Sequence, residues 1–259
     1  MGHAGTLDPF ATGLLVILVG RATRLARFVE RQAKTYLATA RLGVRTTTDD
    51  LTGDPLGGVP SSAEAPSRAA VEAALRSFLG AGQQRPPTFS AKHVGGERSY
   101  AKARRGESVD LAEAAIEVHE VELVGYDFPD LRFRATVSAG TYLRALARDL
   151  GELLGTGAHL RELRREAIGA LRVSEAVSLD RVGPDALLPP LGVLGHLPRV
   201  DVSETEASAL AFGRAITPVS GGPREAEAAA AVANGDRLVA VGRMRDGVFQ
   251  PEVVLEAAN

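Results

Sequence analysis

Asp8 is the one acidic side chain in the run Gly2-His3-Ala4-Gly5-Thr6-Leu7-Asp8-Pro9-Phe10-Ala11-Thr12-Gly13. Pro9 biases Asp8 away from helical geometry, and Gly5 and Gly13 permit close backbone approach on either side. A carboxylate needs no partner base to be ionised at neutral pH, so it can act directly as a covalent nucleophile. The plainer reading of an isolated Asp-Pro is a cap for the apolar stretch that follows. Other chemistry-bearing residues lie far along the chain. Tyr36 sits in an alternating segment, Tyr142 and Arg144 open an apolar stripe, and a run rich in Lys, Arg and aromatics spans 85–106. Taken alone, Tyr36 reads as core filling and Arg144 as a surface cation.

Composition narrows the chemistry further. Without cysteine, the chain has no disulfide, thiolate metal site or cysteine nucleophile. The five histidines show no metal-ligand spacing, and no apolar run reaches membrane-spanning length. The net charge of −2 conceals segregation. Residues 21–45 carry seven Arg/Lys against Glu30, and 85–106 carry six against Glu97, whereas 107–131 hold eight acids and no base. Such segregation suits one anionic-partner face. For 21–45 the plainer reading is a solvated helix face. In 85–106 the bases sit in a loop-like stretch with Phe89 and Tyr100, which suits phosphate contact combined with stacking.

The positioning elements follow from periodicity. Leu14–Val19 is a short apolar strand or helical turn, and 21–32 has helical spacing with Leu25, Phe28 and Val29 inward. Lys34–Val44 alternates as a strand, with Tyr36, Ala38, Ala40 and Leu42 on one face. Ser67 caps a helix expected to reach Leu79. Residues 80–115 read as irregular, 115–125 and 131–138 as paired strands, and 141–154 as a helix. A second helical piece is expected over 158–165. A proline-punctuated linker follows near 189–198, then a Ser203–Glu206 capping box. The turns Asn234-Gly235 and Asp246-Gly247 close two hairpins, and 226–231 reads as a low-complexity insertion. The fold class is α+β, with a mixed, mainly antiparallel central sheet and flanking helices.

The loop around Asp8 resembles the G-x-L-D-P-x-A-T-G signature of the TruB family of tRNA pseudouridine-55 synthases. Lys34-Thr35-Tyr36, Leu42–Gly53, Pro87–Gly106, Gly140–Arg144 and His159–Arg165 match further family motifs in the same order. The resemblance implies isomerisation of uridine in the T-stem-loop of tRNA, without metal or cofactor. Asp8 is then the nucleophile, Arg144 the cation that keeps it ionised, and Tyr36 the aromatic face for a flipped base. A share in proton transfer by that Tyr stays open. Tyr142 orients the site, Leu163 walls it from a helix, and His3 helps open the RNA loop. Lys92, Tyr100, Arg104 and Arg105 belong to an RNA-gripping insertion at about 85–115. The catalytic domain is expected over 1–198, and a β-rich PUA-like RNA-binding domain over 199–259. The expected protein is a cytoplasmic monomer.

Family members carry a strand with a Lys-Pro-x-Gly segment ahead of the catalytic loop, and this chain starts at Met1-Gly2-His3. The expectation is therefore an exposed edge near Asp8. The alternative is a protein that grips and refolds tRNA without chemistry. A glycoside hydrolase would need a second carboxylate, and no other acid stands in a comparable motif. Asp49, Asp50 and Asp54 lack a calcium-loop ladder and read as turn formers.

Overall fold

A computed structural model describes residues 1–56, 65–89, 93–94, 97–98, 105, 111–219 and 229–255. In chain order the elements begin with β1 (Gly2–Ala4), β2 (Thr12–Gly13), β3 (Val16–Leu18), α1 (Ala26–Glu30) and β4 (Lys34–Leu42). Next come β5 (Arg45–Thr46), β6 (Pro55–Leu56), α2 (Arg68–Arg76), β7 (Gly80–Gln84), β8 (His93–Val94) and β9 (Glu97–Arg98). The middle holds β10 (Ala114–Asp127), β11 (Asp130–Val137), α3 (Leu143–Leu153), β12 (Ala158–Ile168) and β13 (Leu171–Arg172). Last are β14 (Arg199–Asp201), α4 (Glu204–Ala211), β15 (Ala229–Asn234), β16 (Arg237–Arg245) and β17 (Val248–Val254). Packing divides the chain into two compact units. One holds 7–14 and 33–167, the other 1–6, 15–32 and 168–259.

The unit containing Asp8 is built on a mixed sheet in the order β12-β4-β11-β10-β7, with β2 beside β12. Strand β4 alternates buried and half-buried residues without a break, so Tyr36, Ala38, Ala40 and Leu42 all face one core. Helices α2 and α3 cover that face, contributing Val71, Leu75, Leu143, Leu146, Ala147 and Leu150. The Ser67 hydroxyl accepts from the Ala70 amide, as a cap should. Helix α2 ends at Arg76 rather than Leu79, because Phe78 and Leu79 donate to carbonyls three residues back and tighten the last turn.

Two expectations fail in this unit. Residues 158–165 are a strand, β12, and Leu163 extends from it, not from a helix. Leu160 and Leu163 mimic helical spacing because Arg161 and Glu162 both face outward, which breaks the pleat alternation. Pairing with β4 on one side and β2 on the other overrides that local pattern. Residues 80–84 are likewise regular, forming an edge strand antiparallel to Ala114–Val118. Gly-Ala-Gly-Gln-Gln contains no β-former, so its partner strand imposes the conformation.

In the other unit, β1 pairs with β3, and a parallel-antiparallel sheet runs β14-β15-β16-β17. The capping box at Ser203 and Glu206 starts α4 as expected. Asp246 and Gly247 both have positive φ, the signature of a tight hairpin turn. Ala229–Ala231, read as part of an insertion, belongs to β15, where Ala230–Ala233 are buried. The stretch near 189–198 is packed, not a linker: Val193 and Leu194 are buried, and Gln32 donates to the Val193 carbonyl. Arg21 and Arg24 donate to the Leu255 and Val254 carbonyls, and Arg27 pairs with Glu252. Part of the basic run 21–45 is therefore committed within the protein.

Candidate active site

The loop that carries Asp8 is shaped by its own turn and then pinned to β12. The Ala11 amide donates to the Asp8 carbonyl at 2.9 Å, closing a turn with Pro9 at its second position. Thr12 and Gly13 then run parallel to Arg164 and Arg165. The Leu14 amide donates to the Arg165 carbonyl (2.9 Å), and Arg165 Nε donates back to the Leu14 carbonyl (2.8 Å). Gly13 has φ +101°, and a Cβ there would lie 2.2 Å from the Arg165 carbonyl oxygen. Only glycine fits that approach. Leu7, Phe10 and Ala11 pack on the same apolar cluster as Tyr36, Leu143 and Leu163.

Helix α3 brings Arg144 to this loop. The stripe that anchors the helix leaves Arg144 in its first turn, 5% exposed. Its Nη2 lies 3.0 Å from Asp8 Oδ1 and its Nε 3.2 Å from Oδ2, a two-point grip on one carboxylate. Nη1 donates to the Thr48 carbonyl (3.1 Å) and lies 3.3 Å from Asp50 Oδ2, while Nη2 also donates to the Phe89 carbonyl (2.9 Å). Four of the guanidinium N–H groups thus make hydrogen bonds, and Nη1 also stands at ion-pair distance from Asp50. The surface reading of Arg144 is excluded.

Asp50 is the residue that sequence reasoning undervalued. It forms the expected turn, since its Oδ1 accepts from the Thr48 hydroxyl (2.7 Å), the Thr52 amide (2.9 Å) and the Thr52 hydroxyl (2.6 Å). Its other oxygen faces Arg144, so a buried carboxylate shares the guanidinium with half-buried Asp8. With its oxygens so occupied, Asp50 is a structural anion. One turn along α3, Arg148 repeats the arrangement with Asp49 (3.0 Å) and the Arg85 carbonyl (2.9 Å).

Electrostatics around Asp8 differ from the simplest expectation. Burial lifts its carboxyl above the ordinary aspartate range, the charge and hydrogen bonds of Arg144 offset part of that, and Asp50 adds to the rise. Arg144 both orients the group and favours its ionised form against burial. Tyr36 is buried, and desolvation raises its phenol above the usual value despite the charge and hydrogen bond of Arg165. The phenol therefore stays protonated at neutral pH.

The remaining expected residues are distributed as follows. Tyr142 precedes α3, and its backbone amide and carbonyl both bond the side-chain amide of Gln84. Leu163 is buried in the cluster beside Tyr36. His3 is exposed on β1, opposite Ile17, in the other compact unit. Arg105 is exposed in a turn, and Lys92, Tyr100 and Arg104 lie outside the described residues. From sequence, Gln84 was not singled out, Arg165 stood only as the end of a motif, and Asp50 only as a turn former. Asp50 alone left a signal, as a second acid in a Thr-rich turn.

A family model described as TruB family pseudouridylate synthase (N terminal domain) matches residues 1–143. The chain belongs to the TruB family. Two further models, for the tRNA pseudouridylate synthase B C-terminal domain and the tRNA pseudouridine synthase II C terminus, match 144–187 and 197–256. The chain is 43% identical over 271 residues to tRNA pseudouridine synthase B of Synechococcus sp. (strain WH7803), covering 99% of this chain and 88% of that protein. It is 42% identical to the protein of the same name from Thermobifida fusca (strain YX), covering 98% and 88%. Among solved structures, a crystal structure of a Cbf5-Nop10-Gar1 complex superposes with TM-score 0.72 at 25% identity, covering 99% of this chain and 72% of that one. A TruB family member is a pseudouridine synthase, an isomerase, and its fold is the mixed sheet with a small C-terminal β-sheet domain described above.

Proposed function

We propose that this TruB family chain isomerises uridine 55 in the T-loop of tRNA, with Asp8 as the nucleophile on a flipped-out uridine. An Asp8 oxygen bonds to C1′ of the ribose as the N1–C1′ bond breaks and its electron pair leaves on N1. The freed base turns, C5 bonds to C1′, and the Asp8 oxygen departs. C5 loses its proton and N1 gains one, so the product is an isomer of the substrate. Tyr36 offers an aromatic face to the extruded base. Residues 1–198 carry this chemistry, and 199–259 form a PUA-like module that adds RNA contact.

The two-point grip of buried Arg144 on Asp8 carries the reading. Orienting a nucleophile before substrate arrives is what positioning contributes to a rate. An RNA-binding protein without chemistry has no need of a half-buried carboxylate held at two points by a buried arginine. The test compares the parent with Asp8→Asn on unmodified tRNA. Equal binding, with pseudouridine formed only by the parent, is the expected result. Product from the variant removes Asp8 as nucleophile, and tight binding without product from either leaves the tRNA-refolding alternative.

A further inference from the structure

We infer that Gln84 is a positioning residue for the Arg144–Asp8 pair; this rests on the site reading above and extends it. Gln84 is the last residue of edge strand β7 and is 3% exposed. Its side-chain amide spans one peptide unit on each side of Tyr142. Oε1 accepts from the Tyr142 amide at 2.9 Å, and Nε2 donates to the Tyr142 carbonyl at 3.1 Å. Tyr142 is the N-cap of α3, and no side-chain cap bond of its own starts that helix. Gln84 holds that N-cap residue from another strand, as the N3 side chain does in the reciprocal half of a capping box. Satisfying the N-cap amide fixes where the helix begins.

That start point matters because Arg144 is only two residues further on. The Tyr142 carbonyl also accepts the Leu146 amide (3.1 Å), so the clasp acts on the first helical hydrogen bond. The same chain segment that leaves Gln84 returns to Arg144 through the Phe89 carbonyl, on the Nη2 that also holds Asp8 Oδ1. Gln84 therefore sets both the origin of the arginine and the approach of one of its acceptors. Loss of the clasp lets the first turn of α3 shift, and a guanidinium displaced by a fraction of an ångström loses its two-point geometry on Asp8.

The test uses Gln84→Met, which keeps length and volume but neither hydrogen bond, and Gln84→Glu, which keeps the acceptor alone. Full-length parent and variants are assayed on unmodified tRNA by release of tritium from uridine C5. The titration of the Asp8 carboxyl is followed by carbon NMR, assigned by its loss in Asp8→Asn. For Gln84→Met the expected results are a fall in kcat of about tenfold or more, KM for tRNA within about twofold of the parent, and an upward move of the Asp8 midpoint. Gln84→Glu at pH 7.5 is expected to fall between parent and Gln84→Met in kcat. Parental kcat, or an unmoved Asp8 midpoint in folded Gln84→Met, overturns the inference. Should Gln84→Met not fold, Gln84→Glu decides: a reduced kcat supports positioning and a parental kcat overturns it. An inactive parent whose Asp8 midpoint still rises in Gln84→Met would sink the functional reading and leave the positioning role standing.

Discussion

Arg144 and Asp8 are 136 residues apart in sequence and meet through two nitrogen–oxygen contacts of 3.0 and 3.2 Å. The carboxyl nevertheless stays above the ordinary aspartate range, because burial outweighs the guanidinium. Orientation and ionisation are therefore separate contributions of one arginine.

Activity needs ionised Asp8, so kcat should fall as pH drops through a midpoint above the usual aspartate value. Arg144→Lys removes the forked grip and should lower kcat on the order of 10²-fold while moving that acid limb upward. The stability sign is opposite. The raised folded-state pKa favours the protonated form, so Asp8's contribution is present at low pH and lost as pH rises through the folded value. Asp8→Asn should therefore not lower the melting temperature at pH 7.5, and a large drop there would contradict the burial argument.

Tyr36→Phe keeps the ring and removes the hydroxyl that meets Arg165. Arg165 is fully buried, so the change should destabilise the protein by about 1–3 kcal/mol, measured by urea unfolding. Affinity for tRNA should hold, because the stacking face remains. A variant with parental stability would mean that the phenol–guanidinium bond contributes nothing.

Gly13→Ala places a Cβ against the Arg165 carbonyl at a positive φ. Strain of about 1–3 kcal/mol is expected. Relief by moving the loop away from β12 would also displace Asp8. Loss of product formation with RNA binding retained is the expected pattern in a gel-shift and turnover comparison. Full activity would show that the Asp8 loop does not depend on its β12 anchor.

Legibility varied with how local the determining forces were. The alternation in Lys34–Leu42 and the apolar stripe of α3 appear directly in the structure, because one buried face per element repeats at the element's own period. Ser67 and the Ser203–Glu206 box act over three residues, and both caps form. Leu160 and Leu163 misled because a strand with two successive outward residues copies helical spacing. Gly80–Gln84 and Ala229–Ala231 held no propensity to read, and their conformation comes from the strands beside them.

The local chemistry belongs to the residues themselves. A carboxylate before proline between glycines makes the turn that presents Asp8, and the motifs that match the TruB family need no coordinates. Tertiary structure alone decided that Arg144 is buried, that Asp50 shares it, and that Gln84 bonds the residue that opens its helix. These contacts join segments dozens of residues apart, and no periodicity encodes which distant carbonyl or carboxylate a guanidinium will meet. They arise only when the sheet and α3 close around the loop and leave each buried donor to find an acceptor.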